Sequence, residues 1–326
     1  MKIAVTGATG HVGRALLPRL LELGHEVRAL CHGDTTCLDG LAVEKVQVDV
    51  RDIDTLRPAL AGQEILLHMA ALISVHPRDE PLMRAVNVDG TRNAATAALE
   101  EGVRRMVHVS SVHSFDIWRL PHPLTEGDPK AVRADLPSYD RSKASGEQVL
   151  HEVIAQGLDA TILNPVGIIG PFDHRPSLIG QALHEMWGGR VPIVPRGGFC
   201  WVDVRDVADA IAVAMERGER GENYLLSTEH FSPYRFHQIT QQAHGRQRIV
   251  LEVPMPLLRL VCPVAPLFRR VSKAADGFTA DALHALDARL EVDASKAREH
   301  LNFRPRPIEG AVHDALFWWK ENNYLA

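Results

Sequence analysis

Cysteine is scarce in this chain: Cys31, Cys37, Cys200 and Cys262 are the only four in 326 residues. No two of them form a C-x-x-C pair, so neither a disulfide scaffold nor a dithiol redox motif is expected. Long apolar runs are missing as well. The nearest approach, VPMPLLRLVCPVAPLF at 253–268, contains four prolines and Arg259 and is too short and broken to span a bilayer. It reads as a buried or pocket-lining segment. Positive charge is not in excess, with 36 Lys and Arg against 41 Asp and Glu. That balance leaves no electrostatic footprint for nucleic acid or an anionic membrane. The 17 histidines are scattered, and none has a ligand spacing backed by cysteines or carboxylates, so no metal is expected. What remains is an ordinary globular composition, 45% hydrophobic and 24% charged, long enough for one large domain or two fused lobes.

Short apolar runs alternate with helical patterns through the first half. KIAV, EVRAL, VEKVQV, EILLHMA, RMVHVSS and DATILN read as strands. VGRALLPRLLELG, DIDTLRPALAG, EPLMRAVNVDGTRNAATAALEEG and SYDRSKASGEQVLHEVIAQG read as helices. This rhythm predicts an α/β fold, a parallel sheet with helices on both faces. After residue 164 the stretches NPVGIIGPFDHRPS and GGRVPIVPRGG are rich in Pro and Gly and read as loops. A strand and helix follow in WVDVRDVADAIAVAMERG, then a strand in NYLLS. The expected division is a nucleotide domain of 1–164 and about 201–227, with a smaller lobe of about 165–200 and 228–326.

The first strand runs into TGATGHVGRALL, whose glycines are Gly7, Gly10 and Gly13. Strand, glycines and amphipathic helix in that order form the context of a phosphate-binding turn, in which backbone N–H groups at the helix start meet a pyrophosphate. Three glycines alone do not separate that reading from a plain connector.

The wider frame carries a resemblance. TGATGHVG, HMAA at 68–71, NVDGT at 87–91, VSS at 109–111, YDRSK at 139–143 and NPVGIIGP at 164–171 resemble the extended short-chain dehydrogenase/reductases in order and spacing. FDHRPSLIGQ and FCWVDVRDVADA are most similar to the dihydroflavonol 4-reductase-like group. The resemblance implies a Rossmann-type doubly wound sheet, a substrate-binding second lobe, a nicotinamide cofactor and a Ser–Tyr–Lys site. It places Thr6, Gly7, Thr9, Gly10, His11, Val12 and Gly13 around the pyrophosphate. Asp49 and Val50 match the adenine contacts, and His68, Ala70 and Ala71 the loop beside the cofactor. Asn164, Pro165 and Val166 match its far end. Asn87 matches the helix asparagine of the family, with a helix-kink hydrogen bond as its alternative role.

Tyr139 and Lys143 are four apart and share a helix face. A tyrosine of pKa about 10 needs roughly 4 kcal/mol of help to ionise near neutrality, the order that one shielded ammonium supplies. Tyr139 is the expected proton donor to a carbonyl, and the resemblance has Lys143 holding the cofactor ribose. Ser110 and Ser111 both follow the strand. The family's catalytic hydroxyl lies four residues before an aromatic, here Phe115, which selects Ser111 with Ser110 as runner-up and cofactor neighbour.

No carboxylate stands at Cys31, His32 or Gly33, where NAD binders usually hold the ribose. Arg28 and His32 are the expected acceptors of a 2′-phosphate, so NADP is preferred over NAD, with Asp34 the fallback ribose ligand. Val112 and His113 replace the Asp-Glu pair of sugar-nucleotide dehydratases, which disfavours elimination. The expected reaction is carbonyl/alcohol interconversion on a largely apolar small molecule met by His113, Phe172, Trp187 and Phe199. A nucleotide-sugar epimerase, and a nucleotide-binding sensor without turnover, are the alternatives. A cytoplasmic location is expected, with a homodimer as the assembly to consider and no nucleic-acid or integral-membrane partner.

Overall fold

The computed structural model describes residues 1–74, 76–118, 120–246, 248–261 and 290–325. Seven strands form the main sheet: β1 (Lys2–Thr6), β2 (Glu26–Cys31), β3 (Glu44–Gln47), β4 (Ile65–His68), β5 (Arg105–Val109), β6 (Ala160–Pro165) and, after three short strands of the second lobe, β10 (Asn223–Leu226). All run parallel, in the order β10-β6-β5-β4-β1-β2-β3. Alternate residues serve opposite cores, as strand geometry requires. Ile3, Val5, Ile65, Leu67 and Val107 pack towards α1 (His11–Glu22) and α7 (Val204–Arg217). Ala4, Leu66, Met106 and Ile162 pack towards α2 (Ile53–Leu60), α4 (Gly90–Glu100) and α5 (Ser138–Ala155). Burial on both faces explains why these strands are apolar throughout.

The chain leaves β3 on one side of β1 and returns as β4 on the other. This reversal opens a crevice at the carboxyl ends of β1 and β4, where ligands of such sheets bind.

Four expectations change. The long helix of 80–100 is interrupted: α3 (Glu80–Arg84) passes through a π turn, Ala85–Asp89, into α4. Helix α5 crosses that turn through Gly146, where a Cβ would lie 2.5 Å from the Asn87 carbonyl oxygen. NPVGIIGP is not a loop. It completes β6 and forms β7 (Gly167–Ile169), which pairs with β9 (Phe199–Asp203). Gly167 lies flat on Trp201, whose ring a Cβ would approach to 2.7 Å.

Strand β9 belongs to the smaller three-stranded sheet β11-β9-β7, with β11 at Glu229–Phe231. The return to the main sheet therefore begins at α7 rather than at 201. Within the stretch GGRVPIVPRGG, also read as loop, β8 (Ile193–Pro195) pairs with β12 (Leu251–Val253). The second lobe has its own core, built from α6 (Leu178–Trp187), α8 (Pro233–Ala243) and the helix Ile308–Glu321 around the fully buried Trp319. The apolar segment enters α9 (Met255–Val261), and the rest of it, with Cys262, lies outside the described residues. Among the described residues no helix is long and apolar enough to cross a membrane.

Candidate active site

Gly7 turns the chain out of β1 at φ +69°, and a Cβ there would lie 2.7–2.9 Å from the Met69 and Ala70 backbone. At Gly13 a Cβ would meet the Gly7 and Ala8 carbonyls at 2.6 and 2.5 Å. Gly10 caps α1 without a side chain, and no acidic residue stands in the first turn. The free N–H groups and positive end of α1 thus face the crevice unopposed. His11 donates its Nε2–H to the Pro171 carbonyl, 2.9 Å away, which ties the turn to the second lobe. Val12 packs inward against the α1 core.

A cleft of about 370 Å3 lies beside this turn, lined in part by Thr6, Gly7, Thr9, His32, Asp49, Val50, Arg51, Ala70 and Ala71. Arg28 is not there. It sits in mid-strand, bound to Glu44 at 2.7 Å and to the Ala59 carbonyl at 2.9 Å. Its place as a basic group at the cleft falls to Arg51, which grips both oxygens of Asp49 at 2.5–3.0 Å. Those bonds hold the Asp49 carboxyl down to about 2. Asp34 is turned onto Thr36 and Arg175.

At the end of β5 the structure brings Ser111, Tyr139 and Lys143 together. Burial pushes the Tyr139 phenol well above its ordinary range, while a hydrogen bond with Ser111 works the other way. Lys143 is buried and its ammonium reaches the Val109 carbonyl at 3.5 Å. Loss of hydration lowers it to about 8 despite Glu147 one turn further on.

Several expected ligands do other work. Ser110 faces Glu147 rather than the cleft, because successive strand residues point to opposite faces. Asn164 is fully buried, its amide donating to Glu147 at 2.7 Å and to the Ser111 carbonyl at 3.0 Å. Pro165 and Val166 are buried at the end of β6. His68 is buried beneath Thr6, 2.8 Å from its hydroxyl, and burial takes it down to about 3. Asn87 does not touch the triad. Its amide clamps both backbone groups of Leu72 and donates to Ser142, whose hydroxyl binds the Tyr139 carbonyl at 2.7 Å. It positions the helix that carries Tyr139.

Sequence reasoning missed Glu147 and Asp140. Glu147 is buried and receives Lys130, Asn164 and Asn223. Its signal was a carboxylate four residues after Lys143 on the same face. Asp140 holds His113 at 3.0 Å and the Trp118 indole N–H at 2.7 Å. The His113 ring meets the Tyr139 ring edge-on at 5.5 Å and stacks on Phe199 at 5.8 Å. Phe172 lies near Trp318 at φ +76°. Trp187 is buried in the second-lobe core against His244, so it does not face the site. No cluster of metal ligands occurs among the described residues.

The model of the NAD dependent epimerase/dehydratase family matches residues 3–227. The chain belongs to this family. Within it, the chain is 36% identical to sterol demethylase protein B of Methylococcus capsulatus, over the full length of both. It is 31% identical to a putative dihydroflavonol 4-reductase of Synechocystis, covering 98% of this chain and 95% of that one. The crystal structure of gox2253 superimposes with a TM-score of 0.86 at 32% identity, covering 99% of each chain. The glycine turn, with no room for a Cβ at Gly7 or Gly13, fits the dinucleotide that the family is named for.

Proposed function

We propose that this protein is an NADPH-dependent reductase that interconverts a carbonyl and a secondary alcohol on a largely apolar small molecule. The observation that carries this reading is the convergence of Ser111, Tyr139 and Lys143 at the end of β5, beside a glycine cradle. When bound, the nicotinamide supplies the hydride. Ser111 orients the carbonyl oxygen, and Tyr139 delivers its proton to that oxygen. A phenol raised by burial stays protonated at neutral pH, which suits a donor. Lys143 is mostly charged at pH 7, so it stabilises the phenolate left behind and offers N–H groups to the ribose.

Preference for NADPH rests on the rim of the cleft. Arg51 covers the charge of Asp49, His32 stands 3.7 Å from the same carboxylate, and Asp34 is engaged elsewhere. An epimerase acting on a nucleotide sugar needs cations for the diphosphate. Of the three candidates for that task, Arg175, Arg190 and Arg196, the first two are already paired with Asp34 and Glu185. The names of the relatives, a sterol demethylase protein and a dihydroflavonol reductase, support a bulky apolar substrate. The test is oxidation of NADPH by purified protein against a panel of apolar ketones and aldehydes. Turnover that persists in Tyr139→Phe, or none with any carbonyl while a nucleotide sugar is epimerised, overturns the proposal.

A further inference from the structure

Glu147 lies one turn after Lys143 on α5, is buried, and has both carboxylate oxygens engaged. Oε1 accepts from the Asn164 amide at 2.7 Å. Oε2 accepts from the Asn223 amide at 3.0 Å and from Lys130 at 2.6 Å. The Asn223 amide also donates to the Asn164 side-chain oxygen at 2.8 Å, which closes a ring through α5, β6 and β10. That ring is tied to the turn after β5, because the Asn164 amide reaches the Ser111 carbonyl at 3.0 Å and the Ser114 hydroxyl at 3.1 Å. Lys130 is fixed in its turn. Its ammonium stands 3.4 Å from the centre of the Phe115 ring, its backbone bridges to Phe115, and Glu126 is a second carboxylate facing it.

Resting on the reductase reading above, we propose that Glu147 is a positioning residue for the proton donor: its fixed negative charge keeps Lys143 protonated beneath Tyr139, and Lys130 limits the strength of that hold. A buried carboxylate gripped by an ammonium and two amides stays ionised, and its donors hold Glu147 below the ordinary carboxylate range against the effect of burial. Lys143 faces Tyr139 and Glu147 on its own helix, with the neutral His68 and His108 from β4 and β5. Its ammonium contacts the Val109 carbonyl at 3.5 Å, so Glu147 acts on it through space, in an interior that screens charge weakly. The ring of amides has a second consequence. It fixes the carboxylate and the Ser111 backbone to the same two side chains, so the charge and the serine keep one relative position.

The experiment reads the ionisation of Lys143 directly, by NMR titration of protein labelled with carbon-13 at the lysine ε position, the resonance being assigned with Lys143→Arg. Wild type is expected to titrate near pH 8. Glu147→Gln keeps the volume and removes the charge, and should lower that midpoint by about one pH unit. Lys130→Met strips the carboxylate of its counter-cation and should raise the midpoint by about as much. Opposite signs are the signature of a charge acting on Lys143, which loss of structure alone does not produce. No shift in either variant, or shifts of the same sign, overturns the proposal. Should Glu147→Gln not fold, Lys130→Met decides alone, and an unchanged or lowered midpoint overturns it. With a ketone that wild type reduces, the basic limb of the kcat/KM profile should move with the midpoint in each variant. A limb that stays in place while the lysine titration moves overturns the link to the proton donor. If no ketone is reduced, the reductase reading fails, and the titration still decides whether Glu147 sets the charge of Lys143.

Discussion

The ammonium of Lys143 rests 3.5 Å from the carbonyl oxygen of Val109, the last residue of β5. A single long contact does not replace the water that a lysine loses on burial, which is why its pKa falls from 10.5 to about 8. The charge is kept at the expense of stability. Below pH 8 lysine is charged in both folded and unfolded chains, and the folded one carries the penalty. Between pH 8 and 10.5 the folded lysine is neutral while the unfolded one still binds a proton, so the penalty fades as pH rises. Lys143→Met is expected to be more stable than wild type by about 1–3 kcal/mol at pH 7 in urea unfolding. That advantage should vanish by pH 10.5, and turnover should be lost throughout. An advantage independent of pH would exclude the buried charge as its cause.

Beneath the same lysine, His68 and His108 stack at 5.3 Å, and both are buried and held neutral by loss of hydration. Their folded pKa values lie below the unfolded 6.5. Stability is therefore complete above 6.5 and lost as pH falls towards the folded values. Each histidine contributes a slope of about 1.4 kcal/mol per pH unit in that window. His108 Nδ1 has no partner among the described residues, so His108→Leu leaves no orphaned donor behind. The variant should show a shallower fall in unfolding free energy from pH 6.5 to 5, by about that one-proton slope. An unchanged slope would show that His108 takes up its proton inside the fold.

The main sheet was legible because local periodicity and tertiary burial agree there. A strand such as EILLHMA is apolar on both faces since helices cover both. The glycine turn was legible because backbone close approach leaves only one residue type at Gly7 and Gly13. What escaped depended on distant partners. Strand β7 exists because Gly167 meets Trp201, and nothing local in NPVGIIGP announces that pairing. Arg28 and Arg51 are both basic residues in or just after the strands that border the cleft, and only the register of β2 against β3 shows that Arg28 binds Glu44 away from the cleft. Trp187 looked like a pocket wall because an apolar helix face reads alike against a ligand or against a core. Asp140, adjacent to Tyr139, carried no signal until the fold brought His113 and Trp118 onto it.

Tyr139→Phe removes one oxygen and leaves the ring that packs against His113. The expected loss in kcat is about 100- to 10,000-fold, the range of a positioned general acid. NADPH affinity, read by fluorescence titration, should stay near the wild-type value because the phenol is not among the groups that line the cleft. Parallel loss of binding and turnover would instead indicate that the hydroxyl is needed to shape the site.

Arg51 presents the last test, because its guanidinium both borders the cleft and neutralises Asp49 through contacts of 2.5–3.0 Å. Removing it has two effects of the same sign on a 2′-phosphate. A cation is lost, and a carboxylate held down to about 2 is uncovered at the rim. For NADH, which lacks that phosphate, the uncovered carboxylate is a potential acceptor for ribose hydroxyls. Arg51→Ala is therefore expected to weaken NADPH by about 10- to 100-fold, the worth of one charge-assisted hydrogen bond. NADH affinity should hold or rise. Calorimetric titration of both coenzymes into wild type and variant measures the ratio directly. If NADPH and NADH weaken together, Arg51 supports the shape of the cleft and does not read the phosphate, and the preference must come from another group.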